Sequence, residues 1–125
     1  MINYLYVSVG AALGGALRYW VSEVAYKFLS DSFPYGTLAV NVIGSFILGL
    51  IMFYFNQREL LGPHLRIFLA IGFCGGFTTF STFSLETMNM FRDSQYWIGF
   101  LNIALNIVLC FLGIYLAYLI SKLIG

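Results

Sequence analysis

The chain has 125 residues, of which 61% are hydrophobic, 19% aromatic and only 9% charged, whereas a soluble domain carries about 25% charged residues. That balance fits a single membrane domain over residues 1–125. The formal net charge of +1 leaves neither a basic stripe for nucleic acid nor an acidic tail.

A hydrocarbon core about 30 Å thick needs roughly 20 apolar residues in helix, and four segments meet that length. The first covers about 3–28 and is uncharged up to Leu17. Its opening, MINYLYVSVG, lacks the positive n-region and small-residue cleavage site of a removed signal, so it reads as the start of a retained span. The second, about 36–55, is uncharged and follows the turn signal SDSFPYG. The third covers about 65–91, uncharged from Ile67 to Leu85, and the fourth, about 96–120, carries no charge. The connections are too short for a soluble domain. The expected fold is an all-α integral membrane bundle of four transmembrane helices.

The third segment holds the stretch GFCGGFTTFSTFS, from Gly72 to Ser84. Paired glycines followed by paired threonines are poor helix formers with competing side-chain hydrogen bonds. A break between about Gly75 and Thr79 is expected. In lipid such a break survives only where protein, water or an ion satisfies the freed backbone groups. On these residues alone, an unbroken helix with a glycine packing face stays open.

Polar residues recur at helical spacing. Thr37, Asn41 and Ser45 share one face of the second segment, and Asn102, Asn106 and Cys110 one face of the fourth. Ser81 and Ser84 alternate with Phe80 and Phe83 on the third. Interhelical hydrogen bonding accounts for any one of these stripes, and three stripes beside a broken helix equally suit a polar pathway. No acid lies at mid-membrane, since Glu23 and Glu86 fall toward segment ends, and Arg18 is the only deep cation. Hydroxyls, amides and phenyl edges all present positive partial charge, so the pathway leans toward an anion. Enzyme chemistry finds no support. His64 reads as a loop residue, no base accompanies the serines, and Cys74 and Cys110 suggest neither disulfide nor zinc site.

Lys and Arg divide evenly between the two sides of a four-span chain, with Arg58, Arg66 and Lys122 on one and Arg18, Lys27 and Arg92 on the other. The positive-inside rule then selects neither orientation. Two oppositely inserted copies could pair about an axis in the membrane plane, with Gly10, Gly14, Gly15, Gly44 and Gly49 allowing close helix approach.

The segments GGALRYW, GTLAVNVIGS and GFCGGFTTFSTFSLE resemble the signature segments of the Fluc (CrcB) family of fluoride ion channels, in order and over essentially the whole chain. The resemblance implies a dual-topology antiparallel homodimer in the bacterial plasma membrane, with two fluoride pores that let cytoplasmic fluoride leave passively. It implies one structural Na⁺ at the dimer centre, held by carbonyls of Gly75 and Thr78 and not transported. By matching positions, Phe80, Phe83 and Asn41 would line the pore, with Thr37, Ser81 and Thr82 in its polar track. Arg18 and Glu86 would face the vestibules. Cys110 departs from the pattern, standing where relatives usually carry a serine. A small multidrug-resistance-type transporter is the second choice, and it needs a membrane-embedded glutamate that VSVGAALGGALRYW lacks. A structural subunit would explain the glycines and leave the hydroxyl–phenylalanine run unexplained.

Overall fold

The computed structural model describes residues 1–124, which are helical apart from short connections. α1 (Ile2–Phe28) is followed by α2 (Tyr35–Leu50), which runs on as a wider π-helical segment, Ile51–Asn56. A loop leads to α3 (Pro63–Arg66), a second π-helical segment (Ile67–Phe73), α4 (Cys74–Phe77) and, past a gap, α5 (Phe80–Arg92). α6 (Tyr96–Ile124) comes last.

Three stretches, Tyr35–Asn56, Pro63–Arg92 and Tyr96–Ile124, are long and apolar enough to cross a membrane. α1 has the length, at 27 residues or roughly 40 Å, but its glycines, tyrosines and the charges Arg18, Glu23 and Lys27 dilute its apolarity. The expectation of four such helices is therefore met at three.

The helix ends follow local chemistry. Pro63 occupies the first turn of α3, where its missing N–H costs nothing. Lys27, Arg92 and Lys122 fall in the last turns of α1, α5 and α6, where a cation complements the helix dipole. Arg58 folds back over the end of the second span, donating to the carbonyls of Phe53 at 3.3 Å and Tyr54 at 3.1 Å. It also donates to Ser121, to Oγ at 3.0 Å and to the carbonyl at 2.7 Å. One guanidinium thus satisfies orphan carbonyls and ties the second span to α6.

Glycines set how closely the helices approach. A Cβ on Gly10 would run into the Phe68 carbonyl, one on Gly14 into the Phe73 carbonyl, and one on Gly76 into the Ala11 carbonyl. The backbones of α1 and the third span are in direct contact, which only residues without side chains permit. On the other flank α2 packs on α6, where a Cβ at Gly49 would lie 2.7 Å from that of Ala117. The third span meets α1 through its π-helical segment and α4, and meets α2 and α6 through α4 and α5, while α1 also packs on α2; Cys74, Phe77, Val40, Asn102 and Ala117 are buried.

Candidate functional site

The helix break falls at Thr78 and Thr79, whose φ/ψ pairs of −115°/130° and −134°/115° are extended. Gly75 and Gly76 remain helical in α4, so the opening sits at the C-terminal edge of the expected window. Its physical cause is a side chain of α2. Asn41 Oδ1 accepts from the Thr79 N–H at 2.7 Å, and Asn41 Nδ2 donates to the Thr79 carbonyl at 3.3 Å. The amide supplies the pair of bonds that a neighbouring strand would give.

The flanking groups find partners as well. Thr79 Oγ1 caps α5 by accepting from the Thr82 N–H at 3.1 Å. Thr78 Oγ1 donates to the Cys74 carbonyl at 3.0 Å, and Arg18 Nε donates to the Gly76 carbonyl at 3.0 Å. In lipid each unmet backbone group costs several kcal/mol, so these bonds decide whether the break can exist.

Beside the break lies an open groove of about 450 Å³ between α2, α5 and α6. Asn41, Ser45, Thr78, Thr79, Phe80, Phe83, Asn106 and Cys110 are among its lining residues, and none of the lining residues is charged. The Phe80 and Phe83 rings are tilted at 55° with centroids 5.5 Å apart. Phe83 is packed at 9% exposure, whereas Phe80 is 78% exposed. Such a wall offers weak donors, namely the Ser45 hydroxyl, the Cys110 thiol and ring edges, and no strong charge to trap an anion.

The sequence of this chain has clear relatives. The model of the family described as CrcB-like protein, Camphor Resistance (CrcB), matches residues 5–118. The chain belongs to the CrcB family. A protein of Dehalococcoides mccartyi named fluoride-specific ion channel FluC is 43% identical over 126 residues, covering 98% of this chain and 97% of the relative. Like-named proteins of Magnetococcus marinus and Geotalea uraniireducens are 41% and 42% identical, covering 95% and 98% of this chain and 97% and 98% of those proteins. The family is one of ion channels, not enzymes, as the missing catalytic constellations led us to expect. With its apolar spans, the CrcB chain is a multi-pass membrane protein.

Of the residues singled out in the sequence, Asn41, Thr78, Phe80 and Phe83 converge on the groove. Ser81 and Thr82 stand on the first turn of α5 behind it, with Thr79 Oγ1 donating to Thr82 Oγ1 at 3.0 Å and lying 3.4 Å from Ser81 Oγ. Thr37, one turn before Asn41, is buried beside the Glu86 carboxylate. Glu86 lines a separate depression of about 190 Å³ with Tyr26, Asp31, Asn89 and Asp93. Its Oε1 is buried without a hydrogen-bond partner among the described residues. Arg18 reaches the break through Gly76. Gly75 faces outward, with nothing within 4 Å of where a Cβ would stand.

The sequence offered interhelical hydrogen bonding or a polar pathway for the stripes holding Ser45, Asn102 and Asn106, and gave no role to Thr79 or Thr87. Helical spacing carried the signal for the asparagines. Nothing in the sequence showed that Asn106 would meet Asn41, from a helix 65 residues away, at 3.0 Å.

Proposed function

We propose that this CrcB protein is a fluoride-selective channel through which cytoplasmic fluoride leaves the cell passively, protecting it from fluoride toxicity. The observation that carries the reading is the uncharged, phenylalanine-walled groove at the helix break. Fluoride is the smallest halide and the costliest to dehydrate. A wide cationic pore would pass chloride as well, and a buried lysine or arginine would hold the ion. A narrow wall of weak donors replaces water stepwise and still lets go. Ser45, Cys110 and the edges of Phe80 and Phe83 supply it, with Thr37, Ser81 and Thr82 extending the polar track toward Glu86.

One chain gives only part of such a path, because the groove is open and Phe80 is largely exposed. A second, antiparallel copy would close it, and two-fold symmetry would make two pores. In that arrangement α1 is the fourth span, its length exceeding the ~30 Å core, and residues 1–125 form one domain. The even split of Lys and Arg supports insertion in both orientations. The relatives named above are bacterial, which supports a plasma-membrane location.

The residues also fit the Na⁺ expected from the resemblance. Thr78 is extended, so its carbonyl departs from the α4 ladder, and the Thr79 N–H that would bond the Gly75 carbonyl in a helix goes to Asn41 instead. Carbonyls are hard oxygen donors suited to a hard cation, and two chains would offer four. When bound, the ion would supply positive charge to these oxygens and join the two copies.

The test is fluoride efflux from liposomes containing only this protein, with chloride efflux measured alongside. Fluoride should empty while chloride is retained, and equal rates would refute the proposal.

A further inference from the structure

A chain of side-chain hydrogen bonds runs from the break through two other helices and back to Phe83. Asn41 Nδ2 donates to Asn106 Oδ1 at 3.0 Å, and Asn106 Nδ2 donates to both Oδ1 and the carbonyl of Asn102 at 3.0 Å. Asn102 Nδ2 donates to Thr87 Oγ1 at 2.9 Å, and that hydroxyl donates to the Phe83 carbonyl at 2.8 Å. Asn106, Asn102 and Thr87 are buried, at 5%, 0% and 6% exposure.

The sense of the chain is fixed at both ends by backbone groups, which cannot flip. The Thr79 N–H only donates, so Asn41 turns its oxygen there and its NH₂ toward Asn106. Asn106 then accepts through Oδ1 and points its NH₂ at Asn102, where a backbone carbonyl also accepts. At the far end the Thr87 hydroxyl donates to a carbonyl and accepts from Asn102. One arrangement satisfies every group, and a fully satisfied buried network is stiff.

We infer that Asn106 is a positioning residue for permeation: it locks the Asn41 amide and, through it, the Thr78–Thr79 break against the turn of α5 that carries Phe83. The inference rests on the channel reading above. Both amide hydrogens of Asn41 are committed to protein acceptors, so Asn41 serves the ion through the backbone it shapes. Asn106 also borders the groove, but its Oδ1 is taken by Asn41 and its Nδ2 by Asn102, so it offers the ion no free donor and acts through Asn41.

Asn106→Leu keeps the volume and cuts the link. In liposomes it should move fluoride roughly tenfold more slowly than wild type, with the elution of the dimer unchanged. Asn41→Ala should be slow too, and the double variant no slower than Asn41→Ala alone, because Asn106 acts through Asn41. Losses that multiply, or Asn106→Leu at the wild-type rate, overturn the assignment. Should Asn106→Leu fail to fold, Thr87→Val, isosteric and farther along the chain, takes its place. A roughly threefold slower rate is then expected, and a full rate overturns the inference. The second readout is nuclear magnetic resonance of protein labelled at asparagine. The Asn41 side-chain NH₂ signals should move in Asn106→Leu, or in Thr87→Val in its stead, and hold in Asn3→Ala. Unmoved signals refute the lock. That readout needs no transport, so wild-type protein without fluoride flux would sink the channel reading while the lock is still judged by its spectrum.

Discussion

The two flanks of the third span are built on opposite terms. Toward α1 the contact is mainly backbone, with Gly10, Gly14, Gly72 and Gly76 letting the helices touch and one side-chain bond, from Arg18 to the Gly76 carbonyl. Toward α2 and α6 it is polar and open, with Asn41, Asn106, Thr78 and Thr79 around a groove of about 450 Å³. The same element is clamped on one side and unwound on the other. The seam without side chains cannot yield, so it fixes the depth of the break. The flank with hydroxyls and amides satisfies Thr79, and Arg18 of α1 satisfies the Gly76 carbonyl. A helix can be opened in a membrane when one face stays rigid while the other is re-bonded.

The largest effect is expected from forcing the glycine seam apart. A methyl at Gly14 would meet the Phe73 carbonyl and stand 2.6 Å from the Phe77 nitrogen, both backbone atoms. Overpacking costs about 1–3 kcal/mol, which outweighs the ~1 kcal/mol that alanine gains in helix propensity. Gly14→Ala should lower the unfolding temperature in detergent and the yield of monodisperse protein. Gly15→Ala, whose nearest neighbour is Arg18 Nη2 at 3.9 Å, should match or exceed wild type. Equal stability of the two variants would mean that the seam is not closed by backbone contact.

The polar flank is tested through its rings. Phe80→Ile and Phe83→Ile keep apolarity and most of the volume, a kind of exchange that costs under about 1.5 kcal/mol. Fluoride efflux should be abolished or sharply cut while the proposed dimer persists. Phe83→Ile should also cost some thermal stability because Phe83 is packed, whereas Phe80, 78% exposed within one chain, should cost little. A Phe80→Ile protein working at full rate removes ring edges from the mechanism.

Sodium comes next, because it would act where the two flanks meet. Replacing Na⁺ by a bulky organic cation should weaken the dimer or slow efflux, through loss of a ligand that binds only the folded assembly. A Na⁺ gradient alone should drive no current. A reversal potential that follows Na⁺ would show that the ion travels and that Gly75 and Thr78 do not hold it.

The sequence disclosed these flanks unequally. Apolar length marked four spans, of which three are long and apolar enough in the structure, and the Gly–Gly–Phe–Thr–Thr run marked the neighbourhood of the break. It did not show that the glycines would remain helical and the threonines extend, because the deciding bonds come from Asn41, 38 residues earlier in the chain. Helical spacing found Asn102 and Asn106 as a stripe, yet the partner of a stripe depends on how the helices rotate against one another. Arg18 read as a vestibule cation from the resemblance, and its bond to the Gly76 carbonyl depends on the closeness of the glycine seam.

The smallest effect separates hydroxyls that hold the break from one that only decorates it. Ser81 is exposed, and its hydroxyl lies 3.4 Å from Thr79 Oγ1, at the weak limit of hydrogen bonding. Thr79 Oγ1 already accepts from the Thr82 N–H at 3.1 Å and donates to Thr82 Oγ1 at 3.0 Å. Removing the Ser81 hydroxyl leaves both bonds intact, so Ser81→Ala should slow fluoride efflux by at most about threefold, the scale of one modest hydrogen bond. Thr79→Val removes the cap of α5 itself, worth about 1 kcal/mol, from a residue whose backbone Asn41 holds. It should lower both efflux and thermal stability. Efflux rates and melting curves of the two variants, compared in one preparation, decide the matter. If Ser81→Ala proves the more damaging, the ion is bound by the exposed hydroxyl, and the break is not the element that sets the path.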